Sequence, residues 1–346
     1  VTNYPTVEAG VSIRQPVYDF GRIGGEIEKA AIALRQAEVG LDGTVQEVLF
    51  EGLVSFVNLE RADRSLAYAQ QSEANIRTQT GLEQSRVDMG GGFTSDVLQA
   101  KSQLAGAQAR LVRAKGALAT ANHRFRALFQ RAPNVADRKQ HVPVPAALMP
   151  ASLEEAAAVA RDRNRQLIAL RLGIDSGKAE IERLRGAELM PRLNAVGESR
   201  YLRNPAGVFG NRTEQSVRLE LTYQFNTGFA ARHGIDAARD SVVSSQHRYG
   251  EAQDLVEEQV RNAWENLMVA RENAEFLQNQ ARIVGQFLAL AREERLQGRR
   301  SLIDVLSGET SLINAQSDAA SAEADVAVAT FTLLRTVGIL DLAALN

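Results

Sequence analysis

Cysteine is absent from this 346-residue chain, so neither a disulfide nor a thiolate metal site can brace it. Aromatic residues are scarce, at 5% of the composition, while alanine, leucine, glutamine and arginine abound. That palette belongs to long helices rather than to a compact mixed core. The net charge is only −2, which leaves no global basic field to draw in nucleic acid. No run of about 18 apolar residues occurs, so no spanning helix is expected. The opening residues, VTNYPTVEAG, show neither the basic nor the apolar region of a secretory signal. Catalytic signatures are missing as well. His123, His141, His233 and His247 lack metal-ligand spacing, and there is no HExxH, nucleophile elbow or dinucleotide fingerprint. The expectation is a non-enzyme without cofactor or metal. His123 reads as a packing or surface residue and Trp264 as core.

Proline is sparse and unevenly placed. All eight prolines fall at 5, 16, 133, 143, 145, 150, 191 and 205, leaving 17–132 and 206–346 without any. Proline in a helix interior costs about 3 kcal/mol or more, so spans this long predict long helices. The apolar spacing agrees. Val48, Phe56, Leu59 and Ala62 share one face, as do Val256, Val260, Trp264, Leu267 and Ala270. A helix from Arg22 to Arg86 is roughly 100 Å long at 1.5 Å per residue, a length suited to coiled-coil-like packing.

Three segments alternate instead. Val7, Ala9, Val11 and Ile13 oppose Glu8, Ser12 and Arg14; Val217, Leu219, Leu221, Tyr223 and Phe225 oppose Arg218, Glu220, Thr222 and Gln224; residues 192–202 alternate more weakly. Each is about as long as a tilted strand of a membrane barrel with a wet lumen, although an ordinary half-exposed sheet has the same period. Tyr18, Phe20, Tyr223, Phe225 and Phe229 gather at strand ends, as an interfacial belt or as a small core.

The chain also repeats itself. At an offset of 208 residues, Asn58, Leu59 and Ala62 recur as Asn266, Leu267 and Ala270, and Gly90, Asp96, Val97 and Leu98 as Gly298, Asp304, Val305 and Leu306. The glycine cluster in MGGGFTSDVLQ (89–99) invites a phosphate-cradle reading. Its mate, LQGRRSLIDVL (296–306), lacks the triple glycine, and neither carries the Gly-Lys-Ser/Thr of a phosphate loop. Both read instead as helix, turn, helix. Gly90 and Gly298 take the left-handed C-terminal position, Ser301 and Asp304 form a capping box, and Thr94, Ser95 and Asp96 supply the equivalent start. The extra Gly91 and Gly92 point to a looser first tip. The predicted first repeat is 1–150, with strand 7–19, long helix 21–88, tip turn 89–95, helix 96–131 and linker 132–150. The second is 151–346, with helices 152–189, strands 192–202 and 215–226, long helix 229–297, tip turn 298–301 and helix 302–338.

These features resemble the TolC family of outer-membrane efflux and secretion channels. The likeness rests on QPVYDFG (15–21), the paired Gly-x5-Asp-Val-Leu turns (90–98 and 298–306), the Leu-x-x-Ala-Gln after each, and the closing LLRTVGIL (333–340). It covers essentially the whole chain. The resemblance implies a mainly α fold with a small β part. Long antiparallel coiled-coil helices form a periplasmic α-barrel and continue into a transmembrane β-barrel shared by a homotrimer, four strands per copy. It implies a passive exit duct in the bacterial outer membrane for efflux or type I secretion. The implied partners are outer-membrane lipid, a periplasmic adaptor protein, and an inner-membrane ABC or proton-driven transporter. One strand precedes the first long helix and two precede the second, so a lead-in of about 60 residues is expected ahead of Val1, by analogy with 152–196. A soluble coiled-coil periplasmic adaptor is the competing reading. Adaptors carry one helical hairpin among glycine- and valine-rich β domains, whereas this chain has two hairpins.

The resemblance also places a gate at the hairpin tips. Asp304 of three copies forms an acidic ring that favours cations; the alternative is that Asp304 only caps its helix. Ser307 stands where the family often has a second acid. Asp96 and Arg300 match an acid and an arginine that tie neighbouring coils, and Arg295 stands where a tyrosine can occur. Gly90, Gly91, Gly92, Gly298 and Arg299 form the turns expected to dock the adaptor.

Overall fold

The computed structural model describes residues 4–139, 148–225 and 228–341. In chain order the elements are β1 (Val7–Tyr18), α1 (Arg22–Asp88), α2 (Thr94–Phe129), α3 (Val135–Lys139), α4 (Leu153–Arg163) and α5 (Arg165–Leu184). After a π-helical turn (Arg185–Leu189) come β2 (Arg192–Arg203), β3 (Asn211–Thr222), α6 (Ala230–Leu296) and α7 (Leu302–Val337). The internal repeat is visible in element lengths. α1 and α6 each have 67 residues, and α2 and α7 each have 36. α6 and α7 each start 208 residues after their mates, Ala230 after Arg22 and Leu302 after Thr94.

β1, β2 and β3 form one antiparallel sheet in that order. Val11 pairs with Ser199 and Ile13 with Gly197, which in turn faces Val217. Cross-strand partners share a face, so Val7, Val11, Ile13, Val217, Leu219 and Leu221 all lie on one side. The opposite side carries an ion-pair lattice. Arg218 meets Glu198 at 2.8 Å, Arg212 meets Glu214 at 2.8 Å, and Arg14 meets Glu220 at 3.6 Å. An ordinary half-exposed sheet buries its apolar face. Here Val217 is 89% exposed and Ile13 68%, which is the pattern of a strand that faces lipid.

Twelve residues at about 3.3 Å each, tilted by about 40°, cross roughly 30 Å. Aromatic rings sit at both ends of that span. Tyr18 packs on Phe20 and Tyr223 on Phe225 at the helix end, while Tyr4 packs on Phe209 at the other. All six are exposed, so they form girdles rather than a small core. β3 starts and stops four residues before the predicted 215–226. Its ladder ends where β2 begins, at the Arg192–Thr222 pair. The preceding residue of β2 is Pro191, which has no N–H to continue it.

Two compact units share the chain: Val1–Leu41 with Arg165–Gln253, and Asp42–Asn164 with Asp254–Asn346. Neither coincides with a sequence repeat, because both long helices run through both units. In the first, the sheet is joined by α5, whose Leu167, Ile174 and Ala179 are buried along with Ile32 of α1 and Ile235 and Val242 of α6. In the second, α7 is the most deeply buried element. Phe331 and Leu334 pack on Leu53 and Val57 of α1. Ile313 packs on Ala69 of α1 and Ala114 of α2. Full burial of one such leucine contributes about 2 kcal/mol. The predicted α1 face is partly right: Leu59 and Ala62 are buried and Phe56 is half-buried, but Val48 is 60% exposed. On α6, Ala263 is buried, and Trp264 is half-buried at the edge instead of being core.

Two buttresses sit outside these stripes. At the end of α2, the Asp137 carboxylate accepts from Arg131 at 2.5 and 2.9 Å and from the Asn134 N–H at 2.7 Å. Arg131 holds that carboxyl down at about 2. Glu180 of α5 accepts from Arg183 at 2.7 and 2.8 Å and from Lys29 of α1 at 2.9 Å. Arg183, then Lys29, hold it down at about 2 as well. Both folded values lie below the ordinary 3.8 and 4.5. Their stabilisation is therefore complete above that ordinary range and disappears as pH falls toward about 2. In acid titrations followed by circular dichroism, Asp137→Asn/Glu180→Gln should be less stable than wild type at neutral pH. It should also lose less stability across that acid window. Equal losses in the two proteins would remove these groups from the acid response.

Candidate functional site: the paired hairpin tips

Both tips are built by the same backbone device. Gly90 has φ 81° and Gly298 φ 74°. The Gly90 N–H donates to the Val87 carbonyl and the Gly91 N–H to the Arg86 carbonyl, each at 2.9 Å; Gly298 and Arg299 repeat this onto Arg295 and Glu294, again at 2.9 Å. This paired closure satisfies the last carbonyls of each long helix and needs a residue free to adopt positive φ. The restarts differ. Ser301 Oγ accepts from the Asp304 N–H at 3.2 Å. α2 has Phe93 at its cap with no side-chain bond, so Thr94, Ser95 and Asp96 lie inside the first turn and do not cap it. Asp96 still puts negative charge at the positive end of the helix. A Cβ on Gly92 would stand 3.0 Å from Val87 Cγ2, so a larger residue there would press the turn against α1.

The charged residues sort into separate contacts. Arg295 is half-buried; its Nη2 donates to Glu83 Oε2 at 3.0 Å and its Nη1 to the Arg300 carbonyl at 3.3 Å. Arg300 donates to Glu294 at 2.6 Å and lies 5.3 Å over the Phe287 ring. Asp96 accepts from Ser95 at 3.5 Å. Within one chain, Arg295 and Arg300 are therefore brought together, while Asp96 and Arg300 are not. Asp304 and Ser307 are exposed and line a groove of about 430 Å³ between α6 and α7, with Ile283, Phe287 and Arg300. Gly90, Gly91, Gly298 and Arg299 are exposed.

Sequence reasoning missed the acids that bind one hairpin to the other. The Glu83 side chain is 6% exposed beside Arg295. Glu309 of α7 is buried and accepts from Asn75 of α1 at 3.3 Å and from Arg292 of α6, whose Nε lies at 3.1 Å. A signal was present. Glu83 falls seven residues after the buried Ile76, and Glu309 seven after the buried Leu302. An acid at a core position of a heptad stripe needs a partner. Separating the hairpins would leave two buried carboxylates without their full complement of donors. Among the described residues, no cluster of three or more His, Asp or Glu side chains could hold a metal.

Comparisons with known proteins agree with this architecture. The outer membrane efflux protein family profile matches residues 2–129 and 157–338. The chain is 24% identical over 342 residues to outer membrane efflux protein BepC of Brucella suis, covering 97% of this chain and 73% of BepC. It is 25% identical over 272 residues to protein CyaE of Bordetella pertussis, covering 77% of this chain and 56% of CyaE. The fold matches that of CusC with a TM-score of 0.80 at 15% identity, covering 96% of this chain and 78% of CusC. It matches the outer-membrane channel OprN with a TM-score of 0.78 at 18% identity, covering 96% of this chain and 81% of OprN.

The Glu83–Arg295 tie has a measurable consequence. Arg86 stands 3.9 Å from Glu83, too far for a hydrogen bond, so Arg295→Ala strands a buried carboxylate. Thermal unfolding should show a loss of about 3 kcal/mol. Glu83→Leu/Arg295→Leu should recover most of it, because two apolar groups leave no charge unpaired. Wild-type stability in the alanine variant would show the tie to be inert.

Proposed function

We propose, starting from the fact that the chain belongs to the outer membrane efflux protein family, that it is one copy of a homotrimeric passive exit duct. Its location is the bacterial outer membrane, with its helices extending into the periplasm. The sequence divides into repeats 1–150 and 151–346, each contributing one hairpin to the duct. The observation that carries this reading is the sheet. Its apolar face is exposed, its other face is an Arg/Glu lattice, and its outer edges on β1 and β3 are unpaired among the described residues. Backbone polar groups in a bilayer must be satisfied without water, so such a sheet is stable only when further strands close its edges. Copies of the same chain supply them, lipid covers the apolar face, and the ion-pair lattice lines a wet lumen.

A duct of this kind has no energy source. An inner-membrane ABC or proton-driven transporter drives export, for efflux or type I secretion, through a periplasmic adaptor protein. The adaptor docks on the turns formed by the exposed Gly90, Gly91, Gly298 and Arg299 and the half-buried Gly92. The tips are the gate. Asp304, exposed on α7 above Ser307, forms an acidic ring across three copies. Asp96 and Arg300 tie neighbouring coils, and Arg295 holds the two hairpins of one copy together through Glu83.

Three measurements test the reading. The full-length protein should fractionate with the outer membrane and migrate as a trimer until it is boiled. In planar bilayers, Arg295→Ala, Asp96→Ala or Arg300→Ala should raise single-channel conductance, and Asp304→Asn should lower cation selectivity. A monomer that forms no channel would defeat the duct. Unchanged conductance in all three alanine variants would remove those residues from the gate.

A further inference from the structure

The lipid side of the sheet changes character along its length. Toward the helices it presents Leu193, Ala195, Leu219 and Leu221, and at mid-strand Ile13, Gly197 and Val217. Beyond Gly197 the same side of β2 carries Ser199, Tyr201 and Arg203, whose partners on β3 are Gln215, Thr213 and Asn211. All six are exposed. The array is roughly 13 Å long and roughly 5 Å wide. β1 stays apolar beside it, with Val7, Ala9 and Val11 on this side. A change of membrane depth alone would turn all three strands polar. Two of three marks a patch shaped for one occupant.

Hydrocarbon would leave these six side chains without partners, which is costly for each, and the wet lumen lies on the other side of the sheet. The occupant must therefore come from the membrane, and charge says which kind. Glu8, Glu198, Glu214 and Glu220 all lie on the opposite side, where Arg14, Arg200, Arg212 and Arg218 meet them. Arg203 is the one charged residue of the described sheet on the lipid side. Its planar fork of donors suits a phosphate, and the five neutral neighbours suit sugar hydroxyls. Tilted by about 40°, the array is about 10 Å deep, more than a single phosphodiester covers.

An apolar hollow adjoins the array on its helix side. It measures about 330 Å³ and is lined by Val11, Ile13, Gly197 and Val217, with Ser199 and Gln215 at its border to the array. Gly197 makes it: a Cβ there would meet nothing within 4 Å. We propose that array and hollow together bind a phosphorylated glycolipid of the outer leaflet. Arg203 takes a phosphate, the neutral side chains take the sugars, and one acyl chain lies over Gly197 beside β1. Closing the barrel uses the edges of β1 and β3 and leaves this face open, so every copy carries one site.

This inference rests on the duct reading above, which puts the far end of the sheet at the outer leaflet, and the test separates the two. The full-length trimer is placed in nanodiscs of phosphatidylethanolamine that also contain bisphosphorylated lipid A, dephosphorylated lipid A or phosphatidylglycerol. Native mass spectrometry counts the lipid retained. Wild type should keep one bisphosphorylated lipid A per copy and hold the other two lipids about tenfold more weakly. Arg203→Gln should abolish the preference for phosphate. Gly197→Leu, which fills the hollow, should weaken retention while keeping that preference. Arg212→Gln, on the luminal side, should change neither. A trimer that retains the three lipids equally, or an Arg203→Gln trimer that keeps the wild-type preference, overturns the site and leaves the duct standing. A monomer by mass that forms no channel in planar bilayers overturns both.

Discussion

The packing of α7 against α1 and α2 is the interaction on which the second compact unit depends. Leu306, Ile313 and Phe331 are all buried there, in three clusters along the helix. That wedge brings the hairpins side by side and so fixes where the two tip turns stand. It also creates the asymmetry of the chain. α7 has found its groove, while its mate α2 still shows the same stripe to solvent. A repeat protein whose units bury their faces only against neighbours always leaves such a stripe at its end.

The sheet is under a different constraint. Its strands expose apolar side chains on one face and Arg and Glu on the other. In water this would be a liability. In a bilayer it is the expected distribution for a barrel wall, with aromatic rings at both rims. Helix and sheet therefore make the same demand in two media: the helices need apolar cover, and the strands need edges closed without water.

Membership of the outer membrane efflux protein family was legible in the repeat and the motifs, because Gly90/Gly298 and the Asp-Val-Leu runs sit at fixed positions relative to long proline-free spans. The ties at the tip were not. Within the chain Arg300 is held by Glu294 and Phe287, while its tie to a neighbouring coil would involve a second copy. The arginine that joins the hairpins is Arg295, and its acid, Glu83, lies in the middle of an otherwise apolar stripe. A linear pattern marks Glu83 as anomalous. It does not say which of several arginines answers it, because that depends on how far α6 slides along α1.

By itself, the sequence determined the element types and their order: long helices where proline is absent, strands where apolar residues alternate, and turns where glycine permits positive φ. These are local properties, set by one or two dihedral angles and a period of 3.6 or 2 residues. Only the tertiary structure decided which of two equivalent stripes is core and which is surface. α2 and α7 share a length and a pattern, yet Leu306 is 1% exposed and Leu98 63%. The physical reason is that burial belongs to a pair of surfaces. A helix carries half of a contact, and the chain folds α7 into its groove while α2 keeps its face for another surface.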